Sequence, residues 1–163
     1  MQSNIFQVEK QIRIAEVGEA RAIAAVLYEA FREFEPLYTR EGFAATTPKS
    51  EQILERMSEG PVWVALVDGE IVGTVSVVLK REALYLRGMA VLPRTRGASV
   101  GKLLMEQVEQ YAREKGCKRL FLSTTPFLDR AIRLYERFGF TSTPEGPHDL
   151  FGTQLFTMEK MLE

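Results

Sequence analysis

The middle of the chain contains three consecutive β-rich runs, and no other feature constrains the fold as much. VWVALV and IVGTVSVVL are joined by Asp68-Gly69, a dipeptide typical of a tight hairpin between two strands. A third run, ALYLRGMAVL, contains Gly88, and a glycine inside a strand often marks a bulge or the close approach of another backbone. Three strands in succession exclude a doubly wound nucleotide-binding fold, in which strands and helices alternate from the beginning.

Two helices and a short strand are predicted before these runs. QIRIAEV alternates like a strand, and the apolar spacing between Ile23 and Phe34 predicts one helix that Pro36 ends. EPLYTREGFAATT is predicted to be irregular, and Thr47-Pro48 is predicted to begin a second helix. The buried stripe expected on this second helix consists of Ile53, Leu54 and Met57.

After the three runs, helices and strands are predicted to alternate. The apolar spacing between Val100 and Ala112 predicts a helix, and RLFLST is typical of a strand. Thr125-Pro126 is predicted to begin a further helix, TPEGPHDLFG to be a loop, and QLFTMEKML to be a last strand. The predicted order is β, α, α, β, β, β, α, β, α, β, β, which implies an α/β (α+β mixed) fold with a mixed sheet and helices on both faces.

Size and composition are those of an ordinary globular protein with one domain, 1–163. The net charge of −1 supplies no bulk positive field for nucleic acid, and no stretch has the ~20 apolar residues that a membrane span needs. Cys117 is the only cysteine, so an intrachain disulfide and a cysteine metal cluster are excluded, and no metal site is predicted. MQSNIFQVEKQ has no secretory signal pattern, so a cytoplasmic location is expected.

A basic, glycine-bearing turn, VLPRTRGASVGKLLMEQ, separates the third β-rich run from the next helix. It is not a P-loop, because only three residues separate Gly97 from Gly101 and because Leu103 follows Lys102 where a Ser or Thr is needed. A dinucleotide fingerprint needs three glycines at a different spacing. Two interpretations remain at this point: the helix start binds the pyrophosphate of coenzyme A, or the turn is only structural.

The C-terminal half resembles the GCN5-related N-acetyltransferase (GNAT) superfamily. The family's R/Q-x-x-G-x-G/A loop is matched by Arg96-x-x-Ser99-x-Gly101, with serine in place of the middle glycine. A second motif, A-x-x-x-Y-x-x-x-G-F, is matched downstream by Ala131, Tyr135, Gly139 and Phe140. Leu128 stands where many relatives have an asparagine. The resemblance implies a mostly antiparallel sheet of about six or seven strands and an acetyl-CoA-dependent N-acetyltransferase.

The resemblance also implies roles for individual residues. Tyr135 is expected to protonate the leaving thiolate, since a phenol with a pKa near 10 can serve as a general acid. Backbone groups of the third β-rich run are expected to pair with the pantetheine arm and to polarise the thioester carbonyl. The residues expected to bind the cofactor are Met89, Ala90, Val91, Arg96, Gly97, Ala98, Ser99, Val100, Gly101, Lys102, Leu128 and Ala131.

The acceptor and the general base stay open. The acceptor is expected to be a small-molecule or peptide amine, and a homodimer is left open. The candidates for the acceptor pocket are Phe31, Glu35, Tyr38, Tyr85, Arg87 and His148, and further candidates for the base are Glu33 and Glu82. Two other functions compete with the enzyme: a non-catalytic acyl-CoA-binding or regulatory domain with the same fold, and a protein-interaction module whose turn is purely structural.

Overall fold

The computed structural model describes residues 9–163. Residues 1–8 lie outside this range, and with them most of the segment on which the absence of a secretory signal was predicted. The helices are α1 Ala20–Phe31, α2 Arg40–Thr46, α3 Ser50–Glu59, α4 Val100–Glu114 and α5 Asp129–Arg137. The strands are β1 Lys10–Ile14, β2 Val62–Val67, β3 Glu70–Lys80, β4 Ala83–Val91, β5 Arg119–Thr124, β6 Thr141–Ser142, β7 His148–Leu150 and β8 Thr153–Met161.

The strands form a mixed sheet in the order β1-β2-β3-β4-β5-β8-β6, with β7 paired to β8. Neighbours are antiparallel except β4 and β5, which are parallel. Their pairing covers only Ala83–Tyr85 and Arg119–Phe121, and beyond these residues the two strands separate. The opening between them is the place where the sheet leaves room for a ligand. The predicted mixed, mostly antiparallel sheet is confirmed, with eight strands in place of six or seven.

The hairpin and the bulge predicted from two glycines are both present. Asp68 and Gly69 have φ values of 49° and 81°, the left-handed conformations that a tight primed turn requires. Gly88 has a φ of 63° and lies where the register of β3 and β4 shifts, between Thr74 and Ser76 on β3. The shift bends β4 just where it leaves β5, so the bulge helps to open the sheet.

Helices cover both faces of the sheet, as predicted. α1 and α3 pack on one face through a buried cluster that includes Ile23, Leu27 and Ile53. α4 packs on the other face, where Leu104, Val108 and the side chain of Tyr135 from α5 belong to a second cluster. Burial of these two apolar faces stabilises the fold, at about 25 cal/mol per Å² of apolar surface. Within residues 9–163, no helix is long and apolar enough to span a bilayer.

The predicted end of the first helix was wrong, and the short helix α2 was not predicted. α1 ends at Phe31, and the chain continues as 3₁₀ turns over Arg32–Leu37, so Phe34 lies outside the α-helix. The segment predicted to be irregular contains α2, whose first turn is capped by the Thr39 hydroxyl, which accepts a hydrogen bond from the Gly42 amide at 3.0 Å. A single threonine cap before a seven-residue helix is a weak sequence signal.

Four further expectations were wrong. α3 begins at Ser50 and not at Pro48, and its Leu54 side chain is 41% exposed instead of buried. α5 begins at Asp129, because the chain first makes a turn in which the Leu128 amide donates to the Thr125 carbonyl. The segment around His148 is not a loop throughout, since it contains the short strand β7.

Candidate active site

A cavity of about 990 Å³ fills the opening between β4 and β5. The N-terminal end of α4, the inner side of α5 and the 3₁₀ turns after α1 all contribute to its lining. The turn before α4 forms what we call the turn end. Side chains of α3, β4 and the 3₁₀ segment form what we call the acceptor end. The separation of β4 and β5 therefore leaves one continuous cavity, which includes both the turn end and the acceptor end.

The turn end consists mainly of backbone. Gly97 and Ser99 have φ values of 88° and 66°, so the chain takes two left-handed steps just before α4. Within residues 9–163, the backbone amides of Gly97, Ser99, Val100, Gly101 and Lys102 donate to no protein acceptor. Amides of this kind at the N-terminus of a helix bind anions, because the helix dipole adds to their partial positive charge.

Ser99 occupies the N-cap position of α4, but its hydroxyl makes no capping hydrogen bond. Ser99 therefore does not cap this helix through its side chain. The reason is its left-handed backbone, since a capping side chain requires an extended N-cap residue. The uncapped amides stay available to a ligand.

Gly101 lies where three elements meet. A Cβ atom at this position would be 3.0 Å from Leu134 Cδ2 on α5 and 3.6 Å from Met89 Cε on β4. All three residues line the cavity. The missing side chain therefore leaves space at the first turn of α4, as the predicted loop requires.

Most of the charged side chains in the cavity wall are basic. Those that line it are Arg56, Arg87, Arg96, Lys102, Arg130 and Arg137. Among residues 9–163, Glu106 is the only acidic side chain in the lining. Arg96 is partly neutralised, because it donates to Glu33 Oε1 at 2.6 Å and to the Ala30 carbonyl at 3.2 Å. The cavity thus attracts a polyanion although the chain as a whole has a net charge of only −1.

Tyr135 lines the cavity from α5 and is 5% exposed. Its ring packs against Phe140 at a centroid distance of 5.9 Å, which fixes it on the inner side of the helix. Burial raises the pKa of Tyr135, and the nearby Tyr38 adds to the effect. The phenol therefore stays protonated over the physiological pH range, as a proton donor must.

Aromatic rings line the acceptor end. Tyr38 is buried, and its ring meets that of Phe127 edge-on at 5.0 Å. Phe34 lies 6.2 Å from the same Phe127 ring. Burial raises the pKa of Tyr38. Close by in the chain, the Thr125 hydroxyl is buried at the cavity wall without a hydrogen-bond partner in residues 9–163.

Most residues predicted for the site line this one cavity. At the turn end and between the strands these are Met89, Ala90, Val91, Arg96, Gly97, Ser99, Val100, Gly101, Lys102, Leu128, Ala131 and Tyr135, and at the acceptor end Phe31, Tyr38, Tyr85 and Arg87. Three others do not line it. Ala98 packs against the core, Glu35 is exposed, and His148 is exposed on β7 with its Nε2 2.7 Å from the Thr157 hydroxyl.

None of the carboxylates considered as a general base reaches the acceptor end. Glu82 is exposed and lies 3.5 Å from Lys118, while Glu33 is engaged by Arg96. Glu35 is exposed outside the cavity lining. No group of three or more His, Cys, Asp or Glu side chains suited to a metal ion occurs in the described part of the chain.

The sequence analysis missed Arg56, Arg130, Arg137, Thr125 and Glu106, which also line the cavity. Arg56 lies on the inner side of α3, three residues after Ile53, so helical spacing alone places it on the buried face. The helical spacing from Ile53 was therefore a usable signal for Arg56, but the predicted buried stripe contained Leu54, which is exposed. Nothing in the local sequence marks the other four as belonging to the site.

Comparisons with known proteins agree with this geometry. Residues 23–140 match the Acetyltransferase (GNAT) family. An uncharacterized N-acetyltransferase of Escherichia coli K12, YjgM, is 31% identical over 144 residues, which cover 85% of this chain and 86% of that protein. The PaiA N-acetyltransferase of Thermoplasma acidophilum, solved with coenzyme A, superposes with a TM-score of 0.81 at 18% identity, covering 94% of this chain and 99% of that one.

A second solved structure, the acetyltransferase YncA of Salmonella typhimurium with acetyl-CoA, superposes with a TM-score of 0.75 at 22% identity and covers 95% of both chains. These two structural similarities concern the fold. The family match and the Escherichia coli relative cover most of the sequence itself. With its splayed β4 and β5 and its uncapped α4, this chain belongs to the GNAT family of acetyltransferases.

Proposed function

We propose that this protein transfers the acetyl group of acetyl-CoA to a primary amine. The observation that supports this best is the row of five unpaired amides at the start of α4, which opens into the same cavity as Tyr135. A pyrophosphate needs such donors, and the transfer needs a proton donor beside the leaving sulfur. The solved relatives with coenzyme A or acetyl-CoA support the same assignment.

The residues present fit coenzyme A. The free amides of Gly97 and of residues 99–102 suit its pyrophosphate. The side chains of Lys102, Arg130 and Arg137 offer charge-assisted contacts to its phosphates. The edge of β4 that faces away from β3 is left without a strand partner beyond Tyr85, so it can pair with the amides of the pantetheine arm.

When bound, acetyl-CoA supplies the acetyl group as a thioester, whose C–S bond is replaced by a C–N bond to the amine. In this proposal Tyr135 donates its phenol proton to the leaving thiolate, and its raised pKa keeps the phenol protonated until that thiolate forms. The amine nitrogen loses one proton as the amide forms, and this proton restores the phenol through solvent.

The amine must be neutral before it reacts, because its lone pair forms the new bond. Within residues 9–163 no carboxylate lines the acceptor end, so the proposed reaction has the amine release its proton to water before or during entry. The rate is then expected to depend on the neutral fraction of the amine.

A non-catalytic acyl-CoA-binding domain is the second candidate. The missing carboxylate base favours it, since such a domain needs the turn end but not the chemistry. The two functions differ in turnover alone.

The test is an amine screen with acetyl-CoA at pH 8, with released thiol as the readout. The proposal expects thiol release that depends on one class of amine, and an acetylated amine in equal amount by mass spectrometry. If acetyl-CoA binds and no amine of a broad library is acetylated, the binding-domain alternative is correct.

A further inference from the structure

Arg56 is an unneutralised cation at the acceptor end. It projects from α3 towards the bulge of β4, so that a Cβ atom on Gly88 would lie 2.8 Å from Arg56 Nη1. Arg56 is half-buried, lines the cavity, and forms no hydrogen bond or ion pair within residues 9–163. Glycine at position 88 therefore has two structural roles. It adopts the left-handed conformation of the bulge, and its missing side chain leaves space for the Arg56 guanidinium.

A second cation stands beside it. Arg87 also lines the cavity, and its Nη2 forms an ion pair with Glu59. Its Nε is buried and has no partner within residues 9–163. Burial lowers the pKa of Arg56, and the charge of Arg87 lowers it further. A guanidinium remains protonated in spite of such shifts, so two positive charges and a single carboxylate face one another here.

This pair is separate from the turn end. Gly88 lies three strand residues, or roughly 10 Å, before the end of β4 at Val91, and the turn starts only beyond that point. The phosphates assigned to the turn end therefore do not reach Arg56. The same cavity is lined by the aromatic side chains of Phe31, Phe34, Tyr38 and Tyr85.

We propose that Arg56 and Arg87 bind a carboxylate of the acceptor, so that the enzyme acetylates amines that carry a carboxylate and an apolar side chain. The proposal rests on the acetyl-transfer function and names its substrate class. A planar guanidinium fork matches a carboxylate in two parallel hydrogen bonds, and the free Nε of Arg87 adds a further donor. The aromatic wall then holds the apolar part of the acceptor.

The test compares three amines that share the phenylalanine side chain and amino group and differ only in the carboxylate or the group that replaces it. L-Phenylalanine, L-phenylalaninamide and the aminophosphonate analogue of phenylalanine are offered at equal concentrations with saturating acetyl-CoA. The amide loses its proton more easily than the amino acid, so its amine is the better nucleophile at pH 8. A preference for the free acid therefore reports recognition of the carboxylate.

The wild-type protein is expected to favour phenylalanine over its amide by about ten- to a hundredfold in kcat/KM. Arg56→Gln is expected to reduce this ratio to within about threefold, through KM for the amino acid, and Arg56→Lys to restore part of it. The matched control is Arg113→Gln, at an exposed arginine on α4 outside the cavity lining, which should keep the wild-type ratio.

Stability gives a second readout. A structural arginine would destabilise the protein when replaced, whereas removal of Arg56 relieves its repulsion with Arg87 and should leave the melting temperature unchanged or higher. The rise in melting temperature caused by coenzyme A should be the same in both proteins.

Equal rates for acid and amide, a preference for the phosphonate, or an unchanged ratio in Arg56→Gln would each overturn the proposal. Binding of the same ligands is also followed by ligand-observed NMR in the presence of coenzyme A, which needs no turnover. If nothing is acetylated but phenylalanine binds through Arg56, the transfer function fails and the carboxylate site stands.

Discussion

The two ends of the cavity are built in opposite ways. The turn end comes from one continuous segment, 97–102, and offers backbone amides to its ligand. The acceptor end is assembled from side chains of α3, β4 and the 3₁₀ segment, which are far apart in the sequence. A backbone site of this kind depends on conformation and little on side-chain identity. A side-chain site can change with single substitutions.

The difference explains what each end does in the proposed reaction. The turn end binds the part of acetyl-CoA that does not react, and it can be the same for every member of the family. The acceptor end decides which amine reacts. We therefore expect substitutions at the turn end to change coenzyme affinity and substitutions at the acceptor end to change the selectivity for the amine. Substitution of Tyr135 should change the rate of the chemical step.

The largest effect is expected for Tyr135→Phe, which keeps the ring packing and removes the proton. Because general-acid catalysis contributes about 10²–10⁴-fold, kcat should fall by that factor with little change in coenzyme affinity. The unfolding free energy should change by less than about 1.5 kcal/mol. Steady-state kinetics with saturating acetyl-CoA measure the first effect. A wild-type kcat, with a burst experiment showing that chemistry limits the rate, would remove Tyr135 from the mechanism.

The next effect is expected for Gly101→Glu. A side chain here points at Leu134 and Met89, so the carboxylate occupies the cavity and repels the pyrophosphate. Coenzyme affinity should fall by at least about a hundredfold, since a buried like-charge contact costs several kcal/mol. Titration calorimetry measures the loss. Gly18→Glu is the matched control, because a Cβ there meets nothing within 4 Å and the position lies outside the cavity lining. Normal binding by Gly101→Glu would place the coenzyme elsewhere.

The pH profile gives an intermediate effect. If water accepts the amine proton, kcat/KM should rise about tenfold per pH unit until the amine is neutral. The raised pKa of Tyr135 means that this donor loses its proton only above the ordinary phenol pKa of about 10, so no decline is expected near that value. A plateau that begins well below the amine pKa would instead reveal a base on the enzyme.

The smallest effect is expected for Ser99→Gly. The left-handed φ of 66° at Ser99 is unfavourable for a side chain and easy for glycine. Relief of that strain opposes the larger chain entropy of glycine, so stability should change by less than about 1 kcal/mol. Chemical denaturation measures it. Coenzyme affinity should stay within a few-fold, and a large loss would show that the Ser99 hydroxyl contacts the ligand.

The same contrast explains how far the sequence could be interpreted. The hairpin at Asp68-Gly69, the bulge at Gly88 and the turn before α4 follow from consecutive residues with restricted backbone geometry, and all three are present where the sequence predicted them. The helix α2 depends on a weak threonine cap and was not predicted. The helix α5 begins only after the turn from Thr125 to Leu128, so its predicted start was too early. Helical spacing places Arg56 on the inner face of α3, but its position beside the bulge of β4 arises only from the tertiary fold and has no signal in the local sequence.

The central claim, that the uncapped start of α4 binds coenzyme A, is tested most directly by thermal denaturation with different ligands. Acetyl-CoA at 100 times its dissociation constant adds about 2.7 kcal/mol, which should raise the melting temperature by roughly 5–10 °C. NAD should give no shift, and ATP a smaller one. An unchanged melting temperature with saturating acetyl-CoA, or equal shifts with NAD and acetyl-CoA, would contradict the account.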